Sequence, residues 1–186
     1  MRECLGLRHA TFRRSGRRIS GEVFPLFEEF DGSLLYYPEI EPVTLDFRRV
    51  LSETRDKPSG LFDLNSRQFE EFIAEIWKRF GYCVELTART RDGGRDIIAI
   101  RESEVNVRFL IECKRYARHR RVGVETVREL YGVKLDESAT KAILATTSSF
   151  TTGARDLFRR HLWELEPRDY DGVVEWIKLA TQTKSL

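Results

Sequence analysis

Cysteine is scarce in this sequence. There are three, Cys4, Cys83 and Cys113, with no CxxC pair among them, and the three histidines (His9, His119, His161) are dispersed. Neither a zinc site nor a disulfide framework is expected, and free thiols fit a reducing cytoplasm. No apolar run approaches the ~20 residues that span a bilayer. The arginine-bearing N-terminal stretch lacks the apolar core of a signal peptide. The expectation is a cytoplasmic protein with no membrane partner. Excess charge of one sign is missing as well: the formal net charge is only +2, so the chain as a whole is not polybasic. Repeats and low-complexity tracts are absent. So are G-x-S-x-G, Walker A, HExxH and the Rossmann fingerprint. The Gly93-Gly94 pair leads into a strand pattern, not a helix, which excludes a phosphate-binding loop of the helix N-terminal kind.

What is present reads as globular. The 186 residues are 41% hydrophobic and 33% charged, enough for one domain with a sizeable core. Residues 1–60 read as an N-terminal extension or small strand-rich module of unknown role, and 61–186 as the main domain. The extension holds a basic knot (Arg13, Arg14, Arg17, Arg18) and two short apolar runs, 23–27 and 34–37, that read as strands. Residues 56–60, DKPSG, read as a linker. A helix follows, with Asn65 as N-cap and Gln68 three residues on. Phe69, Phe72, Ile73, Ile76, Trp77 and Phe80 form its apolar stripe, and Gly81 ends it. Tyr82–Ala88 reads as a strand. Later come a helix from Val124 to about Leu135, a strand at 141–146, a helix at 152–161, a short strand at 162–165 and a closing helix at 169–180.

The chemistry concentrates in Arg91–Tyr116, RDGGRDIIAIRESEVNVRFLIECKRY. It reads as a glycine turn, a strand, a polar loop and a second strand. Alternation puts Glu112 and Lys114 on one face and Phe109, Ile111 and Cys113 on the other. With the turn centred on Glu104, antiparallel pairing sets Asp96 opposite Glu112, Cβ atoms about 5 Å apart. Two carboxylates alone repel there. A hard divalent cation such as Mg²⁺ would neutralise them, and the adjacent lysine would then stabilise charge on a phosphate or orient and activate a water. A glycosidase pair would leave Lys114 without a role. From Arg108 to Arg128 positive charge accumulates: Arg108, Lys114, Arg115, Arg118, Arg120, Arg121 and Arg128 stand against only Glu112 and Glu125. Together with Arg91 and Arg95 beside the glycine turn, this basic run is the expected phosphate-contacting surface.

Asp, a gap, then Glu-x-Lys is the signature of the PD-(D/E)xK nucleases. RDGGRD, IECKRY and VGVETVRELYG, followed at Thr147–Thr151 by residues similar to the T-x-x-x-F-T turn, resemble the Mrr-like restriction endonucleases from about Leu64 to Ala154, extending to Trp176. Arg95 replaces the proline of the signature, and Glu112 stands where many Mrr-like members carry glutamine. The resemblance implies an α/β fold, the restriction-endonuclease-like αβββαβ core with a mixed central sheet flanked by helices. It implies a metal-dependent endonuclease acting on double-stranded DNA in defence against foreign or modified DNA. Mg²⁺ or Mn²⁺ would be held by Asp96, Glu112 and the Cys113 carbonyl, with Lys114 at the water. Glu70, in the Phe-Glu pair that opens the first helix of such proteins, would complete the acidic cluster, with Glu71 and Glu75 as competitors. A homodimer would supply two active sites. A structure-selective repair nuclease resembling the Holliday-junction resolvases, or a catalytically silent DNA-binding or assembly module, are the alternative readings.

Overall fold

The two-fold alternation of the apolar strands decides how this chain packs. In the computed structural model, which describes residues 46–87 and 94–182, helix α1 (Phe47–Asp56) and a 3₁₀ turn (Pro58–Phe62) precede helix α2 (Ser66–Arg79) and strands β1 (Cys83–Leu86), β2 (Ile97–Arg101) and β3 (Val107–Lys114). Helix α3 (Val124–Asp136), β4 (Lys141–Thr146), α4 (Thr152–Arg160), β5 (Leu165–Arg168) and α5 (Tyr170–Gln182) follow. The sheet runs β1-β2-β3-β4-β5 in space. Its first three strands pair antiparallel and its last three parallel. This is the mixed α/β sandwich expected, with α2, the three-stranded meander, α3 and β4 forming the αβββαβ core.

Odd-numbered residues of β2, β3 and β4 (Ile97, Ala99, Ile111, Cys113, Ile143, Ala145) face a core shared with α1, α2 and α5. Even-numbered ones (Ile98, Leu110, Ala142, Leu144) face a second core under α3 and α4. A strand buried on both faces must be apolar at successive positions, which is why β4 reads KAILAT. Phe69, Phe72, Ile73 and Ile76 are fully buried along one stripe of α2, each contributing roughly 1.5–3 kcal/mol of apolar burial. The α2 capping box forms as expected: Asn65 Oδ1 accepts from the Gln68 N–H and Gln68 Oε1 from the Asn65 N–H, both at 2.9 Å. Gly81, at φ +86°, closes the helix in a conformation that a side chain would strain.

Two expectations change, the linker at 56–60 and the start of the last strand. Residues 56–60 are not a linker: they end α1 and open the 3₁₀ turn, whose Leu61 is fully buried. Helix α1, within the segment read as an extension, contributes Val50 and Leu51 to the first core. The last strand begins at Leu165 and not at Leu162, because residues 161–164 form a turn that leaves Trp163 83% exposed. The basic knot and the apolar runs at 23–27 and 34–37 lie outside the described residues. Among the described residues no helix is long and apolar enough to cross a membrane.

Asn65→Ala removes one side of the capping box and is expected to lower stability by about 1 kcal/mol. Urea unfolding should show a lower midpoint with an unchanged slope; a changed slope would mean that the native state, and not the cap alone, had been altered.

Candidate active site

The hairpin register fixes the site. Ile97 pairs with Ile111 at the end of the β2–β3 ladder, and one further step sets Asp96 opposite Glu112. Asp96 is clipped to β3 twice. Its N–H donates to the Ile111 carbonyl at 3.0 Å, and its Oδ2 accepts from the Cys113 N–H at 2.7 Å. Both carboxylates are buried, Asp96 9% and Glu112 6% exposed. Glu112 and Lys114 share the face of Leu110, and the Lys114 ammonium rests on Glu112 Oε1. A residue's N–H and C=O point to one side of a strand. The Cys113 carbonyl therefore lies on the same side as its N–H, towards Asp96.

The turn before Asp96 is held from below. Thr87 donates its hydroxyl to the carbonyls of Arg95 (2.8 Å) and Asp96 (3.0 Å), and its N–H also reaches Asp96 O. Gly94 has φ +81°, and a Cβ there would meet Val133 of α3 at 3.1 Å. Glycine suits both the conformation and the close approach.

Electrostatics at the site are those of crowded anions. Burial pushes the Asp96 carboxyl up to about 7; the charges of Glu112 and Glu70 push the same way, against the Cys113 N–H and Lys114. Burial works to lower the Lys114 ammonium, but its hydrogen bond with Glu112 and the charges of Glu112 and Asp96 outweigh it and hold the group above its usual range. Burial, then the charges of Asp96, Glu70 and Glu112, drives the Cys113 thiol well up, so it stays neutral and is no nucleophile. Buried carboxylates that repel one another form a hard-oxygen donor set short of positive charge, and this fits Mg²⁺ or Mn²⁺ bound with water. Among the described residues no three His, Cys, Asp or Glu side chains are disposed as a metal cage.

The remaining predicted residues separate. Glu70 acts on Asp96 through its charge, while its Oε2 is paired with Arg67 at 3.1 Å. Arg67 also donates to the Thr87 carbonyl at 3.1 Å, which ties α2 to the turn. Glu71 is buried beside Arg67 at 3.7 Å, and Glu75 pairs with Lys78. Arg95 is taken up inside the fold by Glu137, at 2.6 Å, where Arg108 also binds. Arg115 donates to the Phe62 carbonyl of the 3₁₀ turn. Arg118, Arg120 and Arg121 are exposed. Arg91 lies outside the described residues. Sequence reasoning missed Arg67, Thr87 and Glu137, whose roles come from contacts across the fold. A cavity of about 650 Å³, lined by Trp77, Tyr82, Phe109 and Trp176, opens at the other end of β3 and has no part in this cluster.

Comparison with known proteins gives the family and the fold. The family model Mrr_cat, described as restriction endonuclease, matches residues 61–177. The uncharacterized protein y4cE of Sinorhizobium fredii (strain NBRC 101917 / NGR234) is 28% identical over 98 residues, covering 52% of this chain and 25% of its own length. The chain thus spans only a quarter of that curated relative. Among solved structures, the DNA modification-dependent restriction endonuclease AspBHI is similar with a TM-score of 0.51 at 21% identity, over 73% of this chain and 34% of AspBHI. AF1548, a protein of unknown function, is similar with a TM-score of 0.50 at 16% identity, over 66% of each chain. At these identities the structural likeness speaks for the fold.

Folded Asp96 releases its proton near pH 7, and the unfolded carboxyl near 3.8. Between these values the folded state holds the extra proton, so its contribution to stability falls as pH rises through that window. Asp96→Asn should therefore stabilise the protein at pH 8, by on the order of 2–4 kcal/mol, and change little below pH 4. Thermal unfolding across pH tests this. In the same experiment Mg²⁺ should raise the wild-type midpoint and leave that of Asp96→Asn unmoved.

Proposed function

The chain belongs to the Mrr_cat restriction endonuclease family, and from that premise we propose that it is a metal-dependent deoxyribonuclease that hydrolyses phosphodiester bonds of double-stranded DNA in defence against foreign or modified DNA. The observation that carries this reading is a pair of buried carboxylates with a lysine ammonium seated on one of them. Such a cluster has little value as a structural ion pair. It has the composition of a phosphoryl-transfer centre.

Asp96 and Glu112, with the Cys113 carbonyl, would hold Mg²⁺ or Mn²⁺. When bound, the ion neutralises the carboxylates and draws charge from the scissile phosphate. Lys114, kept protonated by Glu112 and Asp96, acts as a fixed cation: it hydrogen-bonds the attacking water and faces the charge that develops on the phosphoryl oxygens. Cleavage consumes one water. Its oxygen bonds to phosphorus, one P–O ester bond breaks, and the departing oxygen takes up a proton, leaving a phosphate monoester and a hydroxyl. Glu70 deepens the negative field around Asp96 and would complete the acidic cluster, its Oε2 being held by Arg67. Arg118, Arg120 and Arg121 would hold backbone phosphates, contacts that place the duplex without reading its sequence. Cutting both strands calls for two such centres, which a homodimer would bring.

Wild-type protein should relax and linearise supercoiled plasmid with Mg²⁺ or Mn²⁺ and lose this activity in EDTA. Lys114→Ala should cut at least about 10²-fold more slowly while still unfolding in one cooperative transition, at a lower midpoint because buried Glu112 loses its partner. Equal rates for wild type and Lys114→Ala, or no cutting of supercoiled, linear, branched or methylated DNA, would sink the proposal.

A further inference from the structure

Strand β4 ends on Thr146, and the two residues that follow it also carry hydroxyls; all three are as buried as the strand's core. Thr146 and Thr147 are fully buried and Ser148 is 3% exposed. Buried hydroxyls need partners, and the partners lie mainly on one segment, the backbone of 114–120. Thr146 Oγ1 donates to the Lys114 carbonyl at 2.6 Å and accepts from the Ser148 N–H at 3.1 Å. Thr147 Oγ1 donates to the Tyr116 carbonyl at 2.7 Å and accepts from the Tyr116 N–H at 2.9 Å. The single Ser148 hydroxyl proton is shared between the carbonyls of Arg118 (3.3 Å) and Arg120, the latter being closer. The Ser148 carbonyl in turn accepts from the Tyr170 N–H at 2.9 Å, at the start of α5.

The segment held in this way is the basic turn. Lys114 and Tyr116 are half-buried, whereas Arg118 and Arg120 are exposed residues whose carbonyls water could serve, so occupying these with a buried hydroxyl sets the shape of the turn. Its arginines are braced too. The Arg120 guanidinium lies 4.1 Å from the Tyr116 ring centroid and that of Arg118 lies 5.8 Å from Tyr170. Tyr170 itself stacks on Phe62, with centroids 5.5 Å apart and planes at 11°. A guanidinium lying on a ring keeps its N–H edge available for a phosphate while losing less freedom on binding.

We infer that Thr147 and Ser148 are positioning residues for the DNA backbone: they fix the turn from which Arg118 and Arg120 reach the phosphates. The inference rests on the reading of the chain as a DNA-cleaving domain. The test is binding of a short labelled duplex in EDTA, followed by anisotropy over a series of KCl concentrations. Ser148→Ala and Thr147→Val should each weaken binding about fivefold or more at low salt. Each should also flatten the plot of log affinity against log salt, by about 0.9 for every phosphate that the turn no longer neutralises. Thr147→Ser, which keeps the hydroxyl, should restore the wild-type slope. In an Arg118→Ala/Arg120→Ala background, Ser148→Ala should add nothing, because its effect runs through those two arginines. Should Thr147→Val fail to fold, Ser148→Ala carries the test, since its hydroxyl meets carbonyls of exposed turn residues. A wild-type slope in Ser148→Ala, or full additivity with the arginine changes, overturns the inference while leaving the nuclease reading intact. Wild-type protein that does not bind DNA overturns both.

Discussion

Holding two carboxylates side by side in a buried place is the constraint that the rest of this structure serves. Left to itself, Asp96 would swing its charge into water. It cannot, because its N–H and its Oδ2 are both bonded to β3, and β3 is the central strand, paired antiparallel on one side and parallel on the other. The repulsion that results is local and electrostatic. The two apolar cores that grip β3 from either face, through Ile111 and Leu110, oppose it. A site of this kind costs stability in the absence of a counter-ion, and such cost is the usual mark of a functional centre in an otherwise consistent fold.

The parts of the structure that were legible in the sequence are those that local periodicity controls. The α2 stripe, its capping box, the alternation of β2 and β3 and the resulting meeting of Asp96 with Glu112 all follow from spacing. Once the loop is centred on Glu104 the register has no freedom, since a one-residue slip would turn Glu112 into the first core and Ile111 out of it. Arginine was the least legible residue. Composition marks where positive charge accumulates, but a guanidinium takes whatever acceptor tertiary structure brings to it. For Arg115 that acceptor is the Phe62 carbonyl, 53 positions away; for Arg95 it is Glu137, at the C-terminal end of α3. Of the basic run, Arg118, Arg120, Arg121 and Arg128 are exposed. The linker reading of 56–60 failed for a related reason. Pro58 and Gly60 do mark a change of direction, but the turn they make is a 3₁₀ turn around a buried leucine.

The hydroxyls at the end of β4 show why a capping motif can be read correctly and still be incomplete. Thr151 caps α4 by accepting from the Ala154 N–H at 3.3 Å, as its position suggests. Thr147 and Ser148, in the same pattern, look equally available for local caps. They bond instead to residues about thirty positions away, because the parallel pairing of β3 with β4 ends with Lys114 beside Thr146 and leaves the two strand exits next to each other.

That adjacency joins the chemistry to the surface that would present it with substrate. Lys114 is the last residue of β3, and its carbonyl is held by the Thr146 hydroxyl. Its ammonium stands on Glu112 within the acidic cluster, and the chain that leaves it becomes the basic turn. The lysine and the exposed arginines of the turn therefore share one length of backbone, held at Lys114, Tyr116, Arg118 and Arg120 by the hydroxyls of Thr146, Thr147 and Ser148. Phosphate contacts made from such a turn are registered against the carboxylates without any separate hinge. Such contacts would read no bases, so on the proposed reading the turn would place a backbone against the acidic pair without selecting its sequence.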